Sequence, residues 1–382
     1  MLPIIMMLAA KNKFVPADVP QAEANILIAF YRATDGDNWT NNTGWLTDPV
    51  VDNWYGVTVS GGHVTQLVLT NDANIKGDCS ILQYLTSLQT LRLNNTQVSG
   101  DVSGFSALTF LQYFNSGATQ VSGDISGFSA LTSLQYFDSS TTQVSGDVSG
   151  FNALTSLQHL YLYNTQVSGD VSGFSALTSL RDLYLYNTQV SGDISGFSAL
   201  TSLLNLHLYN TQVSGDISGF SALTSLLNLQ LYNTQVSGDV SGFSALTSLQ
   251  YLRLYITQVS GDASGFSALT SLLDLQLYNT QVSGNAAFLQ NLALLKTGYL
   301  YNTDIDDYTH GSPLPAWSAT NIRVDNLGWT STEVDGFLVD ADDGGGVNCT
   351  LNIAGSNAAP TAVGLAAKDN LVTKGWTVTV TA

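Results

Sequence analysis

Leu154-Thr155-Ser156-Leu157-Gln158-His159-Leu160-Tyr161-Leu162-Tyr163-Asn164-Thr165-Gln166-Val167-Ser168-Gly169-Asp170-Val171-Ser172-Gly173-Phe174-Ser175-Ala176 is one copy of a pattern that recurs without insertion or deletion from about residue 85 to residue 303. Val98, Val121, Val144, Val167, Val190, Val213, Val236, Val259 and Val282 stand 23 apart and fix its phase. A unit this short cannot bury its own apolar side, so successive copies must stack and share one core, as in a solenoid. Leu157, Leu160 and Leu162 flank and alternate with His159, Tyr161 and Tyr163, the period of two that marks a half-buried strand. The leucines are expected to face inward and the others outward, with stacked copies pairing as parallel sheet about 4.8 Å apart. Val167 then turns inward, Gly169 permits a bend, and Phe174 with Leu177 fills the back of the coil. Phe105, Phe128, Phe151, Phe174, Phe197, Phe220, Phe243 and Phe266 repeat that position and read as a core spine.

L-x-x-L-x-L at this period is the pattern of leucine-rich repeats, and S-G-D-x-S resembles the S-G-x-I-P segment of their plant-type class. The fold class this implies is an α/β repeat, a leucine-rich-repeat solenoid with a parallel β-sheet on one face, a helical N-terminal cap and a small α/β C-terminal cap. Thr165 stands where most members carry Asn, so a hydroxyl ladder is expected in place of an amide ladder. Ser116-Gly117-Ala118 and Ser139-Ser140-Thr141 replace Leu-Tyr-Asn, and those two coils are expected to pack less tightly.

The ends resemble the family as well. Residues 23–54, followed by Tyr55-Gly56-Val57, look like the N-terminal cap of plant-type and bacterial members, with an amphipathic helix over about 21–33. Cysteines usually flank that W-x-G-V segment in the family; here the flanking positions include Asp52 and Val59. The missing disulfide implies assembly in a reducing compartment. After residue 304 the repeat stops, and the pattern predicts a helix over 332–340, a strand over 348–354, a helix over 360–374 and a strand over 376–380. This last block resembles C-terminal segments of bacterial and phage surface and virion proteins, and would cap the exposed sheet edge. The division expected is an apolar arm (1–20), a cap with the first coil (21–80), the array (81–303) and an α/β cap (304–382).

Only 10% of the 382 residues are charged, yet the formal net charge is −18. Eleven Lys and Arg in the whole chain cannot supply the clustered cations that nucleic acid needs, so no nucleic-acid partner is expected. Cys79 and Cys349 flank the array and imply no disulfide framework. No stretch approaches the roughly 18–20 apolar residues of a membrane span. Residues 1–10 are apolar without a basic start. Leu2, Ile4, Ile5, Met6, Met7 and Leu8 are read as an anchoring arm for another virion or surface protein, with an export signal as the other reading.

Catalysis finds little support: His63, His159, His207 and His310 are scattered, and no H-E-x-x-H, G-x-S-x-G, P-loop or C-x-x-C occurs. The chain is therefore expected to be no enzyme and to need no cofactor. Asp340-Ala341-Asp342-Asp343-Gly344 and Asp35-Gly36-Asp37-Asn38 have the flavour of calcium loops but fail the EF-hand spacing, and read as turns, with a bound Ca2+ as the alternative. Asp78, Asp101, Asp124, Asp147, Asp170, Asp193, Asp216, Asp239 and Asp262 form a column with one carboxylate per coil. Each is expected to accept a backbone N–H in its own turn rather than join a metal ladder, so no metal site is assigned.

Among near-identical coils, variation concentrates at two outward strand positions: Thr90, Tyr113, Tyr136, His159, Asp182, Asn205, Asn228, Tyr251 and Asp274, and Arg92, Asn115, Asp138, Tyr161, Tyr184, His207, Gln230, Arg253 and Gln276. Beside them runs a constant ladder of Tyr163, Tyr186, Tyr209, Tyr232, Tyr255, Tyr278 and Tyr301. Varied polar and aromatic residues on a fixed scaffold compose a recognition face. The ligand-binding residues assigned are His159, Tyr161, Tyr163, Asp182, Tyr184, Tyr186, Asn205, His207, Tyr209, Asn228, Gln230, Tyr232, Tyr251, Arg253 and Tyr255. The function expected is surface recognition and display on a phage virion, as a head decoration or tail appendage binding a host glycan or protein at the virion surface. A secreted or cell-surface bacterial leucine-rich-repeat adhesin, extracellular, is the alternative. Ice binding, which regular Thr ladders favour, is disfavoured because the Thr ladder here should face inward.

Overall fold

The computed structural model describes residues 14–382; the six arm residues lie outside them. The chain divides into two compact units, Met1–Ser191 and Gly192–Ala382, so the unit boundary falls inside the repeat array.

The first unit opens with helix α1, Gln21–Ala33, whose buried side carries Ala24, Leu27, Ile28, Phe30 and Tyr31. Glu23 ties this helix to the strand His63–Val68, accepting from His63 Nδ1 and the Val64 N–H, both at 2.7 Å. Below it, Tyr31, Trp39, Trp45 and Trp54 pack ring against ring at 4.9–5.4 Å. Where the family usually places a cap disulfide, the Val59 N–H donates to Asp52 Oδ1 at 2.6 Å.

Each coil then contributes a three-residue strand to a first sheet, a five-residue strand to a second, and a 3₁₀ turn between coils. In the first unit the strand His159–Tyr161 pairs in parallel, without offset, with Tyr136–Asp138 on one side and Asp182–Tyr184 on the other. In the second unit Asn205–His207, Asn228–Gln230, Tyr251–Arg253 and Asp274–Gln276 do the same. Leu157, Leu160, Leu162, Val167, Phe174 and Leu177 are all fully buried, as the alternation requires.

The glycine of S-G-D is needed for a reason that lies in the neighbouring coil. Gly169 has φ +114°, and a methyl group there would overlap the carboxylate of Asp147 from the coil before. That carboxylate accepts the Ser149 N–H at 2.8 Å and its hydroxyl at 2.5 Å, and the Ser149 hydroxyl in turn accepts the Asp170 N–H at 2.9 Å. Asp216, Ser218 and Asp239 repeat the relay in the second unit. The Asp column is thus hydrogen-bonded in its own turns, as the turn reading held.

One expectation is refined and one corrected. The threonines bond the backbone of their own turns, as expected of the position, with Thr165 donating to Leu162 O at 2.5 Å and Thr234 to Leu231 O at 2.6 Å; among the described residues their hydroxyls do not link successive coils. The amide ladder instead sits one residue earlier, at exposed asparagines in the left-handed conformation, where Asn233 donates to Asn210 at 2.8 Å and Asn302 to Asn279 at 2.9 Å. The coils carrying Ser116 and Ser139 are also not loose. Phe114 and Phe137 replace the preceding leucines and fill the volume, 5.6 Å apart, while the two buried serine hydroxyls bond each other at 2.8 Å.

After Asp304–Asp307, which ends the second sheet, the first sheet continues. Asn321–Arg323, Thr350–Asn352 and Thr377–Thr379 add in parallel to the strand Thr297–Tyr299. Helices α2, Ser331–Asp343, and α3, Ala362–Thr373, take the place of the 3₁₀ turns. The α/β cap is therefore two further turns of the same solenoid with larger backs. Thr330 and Glu333 form a capping box on α2, and Thr361 rather than Pro360 caps α3. Asp340 and Asp342, read above as turn residues, lie in α2. Asp340 accepts from Tyr308 at 2.7 Å and pairs with His310 at 2.8 Å, while Asp342 pairs with Lys374 at 2.6 Å.

Candidate recognition face

All fifteen assigned ligand-binding residues stand on the outward side of the first sheet or at its edge, in two sets. In the first unit His159 Nδ1 meets Asp182 Oδ2 at 2.6 Å, and the Tyr161 hydroxyl donates to the same oxygen at 3.0 Å. Burial and the Asp182 charge push the Tyr161 phenol well above its ordinary range and Tyr184 up to about 12. Tyr163 and Tyr186 stack with centroids 4.5 Å apart. Toward lower residue numbers this tyrosine column is interrupted, because Asn94, Gly117 and Ser140 hold its positions.

In the second unit the ladder is continuous. Tyr209, Tyr232, Tyr255, Tyr278 and Tyr301 stack at 4.2–4.6 Å with near-parallel rings. The Arg323 guanidinium covers the last ring at 3.8 Å and is itself held by Asp325. Burial first, and then the flanking phenols, push Tyr255 well above the ordinary range. Arg253 forms a two-point pair with the buried Asp274, at 3.2 and 2.9 Å. Gln230 is buried and donates to Asn228 at 3.0 Å, so its amide is already used inside the sheet.

This stacking changes what the face can do. The sequence suggested broad aromatic area. In the structure the ring faces cover each other, and what remains outward is a comb of ring edges and hydroxyls, better suited to hydrogen bonding than to flat stacking.

Sequence reasoning missed one part of the site. In the first unit Thr90, Gln112, Tyr113, Gln135, Tyr136, Gln158 and His159 line a groove of about 370 Å³. The residue just before each strand builds its rim. The signal was there: that column reads Gln89, Gln112, Gln135, Gln158 and Arg181 in the first unit, and Leu204, Leu227, Gln250, Leu273 and Lys296 in the second.

Asp35 pairs with Lys76 at 3.0 Å, and the hydroxyl of Tyr31 donates to Asp37 at 2.9 Å, so both carboxylates of that loop have protein partners. Among the described residues, no group of three or more His, Cys, Asp or Glu could hold a metal ion, and no helix is long and apolar enough to cross a membrane. Cys79 and Cys349 are both buried free thiols, and burial pushes Cys79 up to about 12.

A family model of leucine-rich repeats, two copies, matches residues 155–199. No curated protein matches the sequence. Among solved structures, the chain is similar to the leucine-rich-repeat ectodomain of a plant membrane receptor kinase from Arabidopsis thaliana, solved with Casparian strip integrity factor 2. The TM-score is 0.73 at 19% identity over 94% of this chain, which spans only 44% of that ectodomain. A plant ice-binding protein gives a TM-score of 0.61 at 22% identity, over 78% of this chain and 98% of that one. An internalin from Listeria monocytogenes gives 0.52 at 23% identity, over 85% and 90%. At these identities the likeness shows the fold. On its repeats, its sheets and these matches, the chain has the leucine-rich-repeat fold.

Proposed function

We propose that the chain is a non-enzymatic recognition and display protein that holds a macromolecular ligand on the outward side of its first sheet. One observation carries this reading: coils that are near copies elsewhere differ at two outward strand columns, mostly half-buried on one sheet surface, and at the residue just before them. The receptor ectodomain and the internalin, both with this fold, support a binding scaffold on a surface.

The carrier we propose is a phage virion, on the resemblance of the C-terminal block and on the apolar segment before residue 14 acting as anchor. The bacterial adhesin is retained as a second reading because of the likeness to the internalin. The likeness to the ice-binding protein shows the fold alone; the threonines of T-Q-V-S are buried and bonded inside their turns, whereas those of L-T-S-L, among them Thr155, Thr178 and Thr201, are exposed.

Replacing Tyr232→Ser together with Tyr255→Ser tests the face. Both rings are only half-buried, so the variant is expected to fold while attachment to the cognate cells or particles weakens. Attachment at the parent level would refute the recognition face. Mass analysis of particle, secreted and cell-surface fractions then separates the carriers: the chain co-purifies with intact particles in the virion reading, and with the cell surface or medium in the other.

A further inference from the structure

We propose that the C-terminal end of the second unit is a homodimerisation surface. A second copy of this chain docks there about a twofold axis through Val378, edge strand against edge strand and α3 against α3.

The strand Thr377–Thr379 pairs with Thr350–Asn352 on one side only and forms the edge of the first sheet. Its stretch Thr377-Val378-Thr379-Val380-Thr381 holds no charge and no Pro, the usual protections of an open edge. In the first unit the edge strand Val57–Ser60 is protected: its register shifts between Thr58 and Val59, and Asp52 takes the Val59 N–H. The core is open at the same C-terminal place. Ile322 and Leu351 are fully buried, whereas Val378, next in their register, is only half-buried. Behind it α3 buries Gly364, Ala367 and Leu371 on one side and leaves Val363, Leu365 and Val372 61, 44 and 51% exposed. The apolar residues of α2, which packs against α3, are all buried or half-buried. A helix apolar on every side and open on one is built to be covered.

The surface matches itself, which selects a second copy as its occupant. The Thr377 N–H donates to Cys349 O and the Ile353 N–H to Thr379 O, so both backbone polar groups of Val378, between them, point out of the edge. Strands related by a twofold axis across a shared edge run antiparallel, and a residue with both groups outward can sit on that axis, exchanging two hydrogen bonds with its own equivalent. On α3, Leu365, Lys368, Asp369 and Val372 share one face. With the axis between positions 368 and 369, Leu365 meets Val372 of the other copy and Lys368 meets Asp369, each contact made twice. One axis serves both elements: the middle of α3 lies about 7 Å from its C-terminal end, and Val378 lies about 7 Å along the returning strand from Trp376. A strand from an unrelated chain would find the same edge without the reciprocal charges.

Sedimentation velocity of the full chain, from about 1 to about 500 μM, tests this. A reversible monomer–dimer equilibrium is expected. Leu365→Lys changes an exposed residue, so it should fold as the parent does, checked by circular dichroism, while its dimer weakens by about tenfold or more because the change enters twice. Lys368→Asp is expected to weaken the dimer severalfold, and Lys368→Asp with Asp369→Lys to restore it, since the pair reforms across the axis with its signs exchanged. A chain that stays monomeric at every concentration overturns the proposal, as does a dimer indifferent to Leu365→Lys. A double charge exchange no better than the single one refutes the axis, and the proposal with it. Association abolished by removing residues 1–13 but untouched by Leu365→Lys would assign it to the N-terminal arm instead.

Discussion

The two sheets of a coil treat repetition in opposite ways. On the second sheet, the Gly and Asp of S-G-D and the Ser that follows repeat through nearly every coil, because each contacts the coil before or after: the Asp147 carboxylate covers Gly169, and the Ser149 hydroxyl holds the Asp170 N–H. A change there must be matched in the neighbour. On the first sheet the outward residues meet mainly each other and solvent, and there the coils diverge. The difference teaches that the invariance of S-G-D-x-S marks coil-to-coil bonding, which the outward columns of the first sheet do not carry. Gln166 and its equivalents, exposed in every coil, are invariant without a structural reason.

Breaking the back of a coil should have the largest effect. Phe243→Ala empties a fully buried site and is expected to cost about 3–5 kcal/mol, read as a lower urea midpoint. A cost below that of the exposed-face tyrosine variant would invert the comparison.

Acid attacks the same side more gently. Ser hydroxyls first, then Ser N–H groups, hold Asp101, Asp124, Asp147, Asp216 and Asp262 below the ordinary carboxylate range. A lowered folded pKa stabilises fully above the ordinary value near ~3.9 and loses its effect as pH falls through the lower folded values. The melting temperature should therefore stay level from neutral pH down to about 5 and decline below about 4. A level profile to pH ~2 would show the relay to be energetically idle.

The smallest effect sharpens the comparison at the turn between the sheets. Ile256 interrupts the asparagine ladder, exposed and at φ +56°, a conformation that a β-branched side chain resists. Ile256→Asn should relieve that strain and let amide bonds form toward Asn233 and Asn279, raising stability by about 1 kcal/mol. A loss of stability would mean that Ile256 is held there by packing not visible in its exposure.

The two units differ on the recognition face itself. The second carries an unbroken stack of phenols beside Leu204, Leu227, Gln250 and Leu273. The first interrupts the stack with Asn94, Gly117 and Ser140 and opens an amide-rimmed groove beside it. Near-identical scaffolds thus present two chemistries.

Much of this was legible beforehand. The 23-residue phase fixed the coil, its inward leucines and phenylalanines and its outward columns, because period-two alternation and strict spacing leave a stacked strand no other way to bury its apolar side. Helix α1 and both C-terminal helices were also readable from caps and apolar spacing. Other features depended on which atoms meet across coils, and spacing within one copy cannot report that. Only the tertiary structure showed that Phe114 and Phe137 compensate for buried serines, and that threonine hydroxyls bond within a turn while asparagines bond between coils. It alone turned the tyrosine ladder of the second unit edge-on.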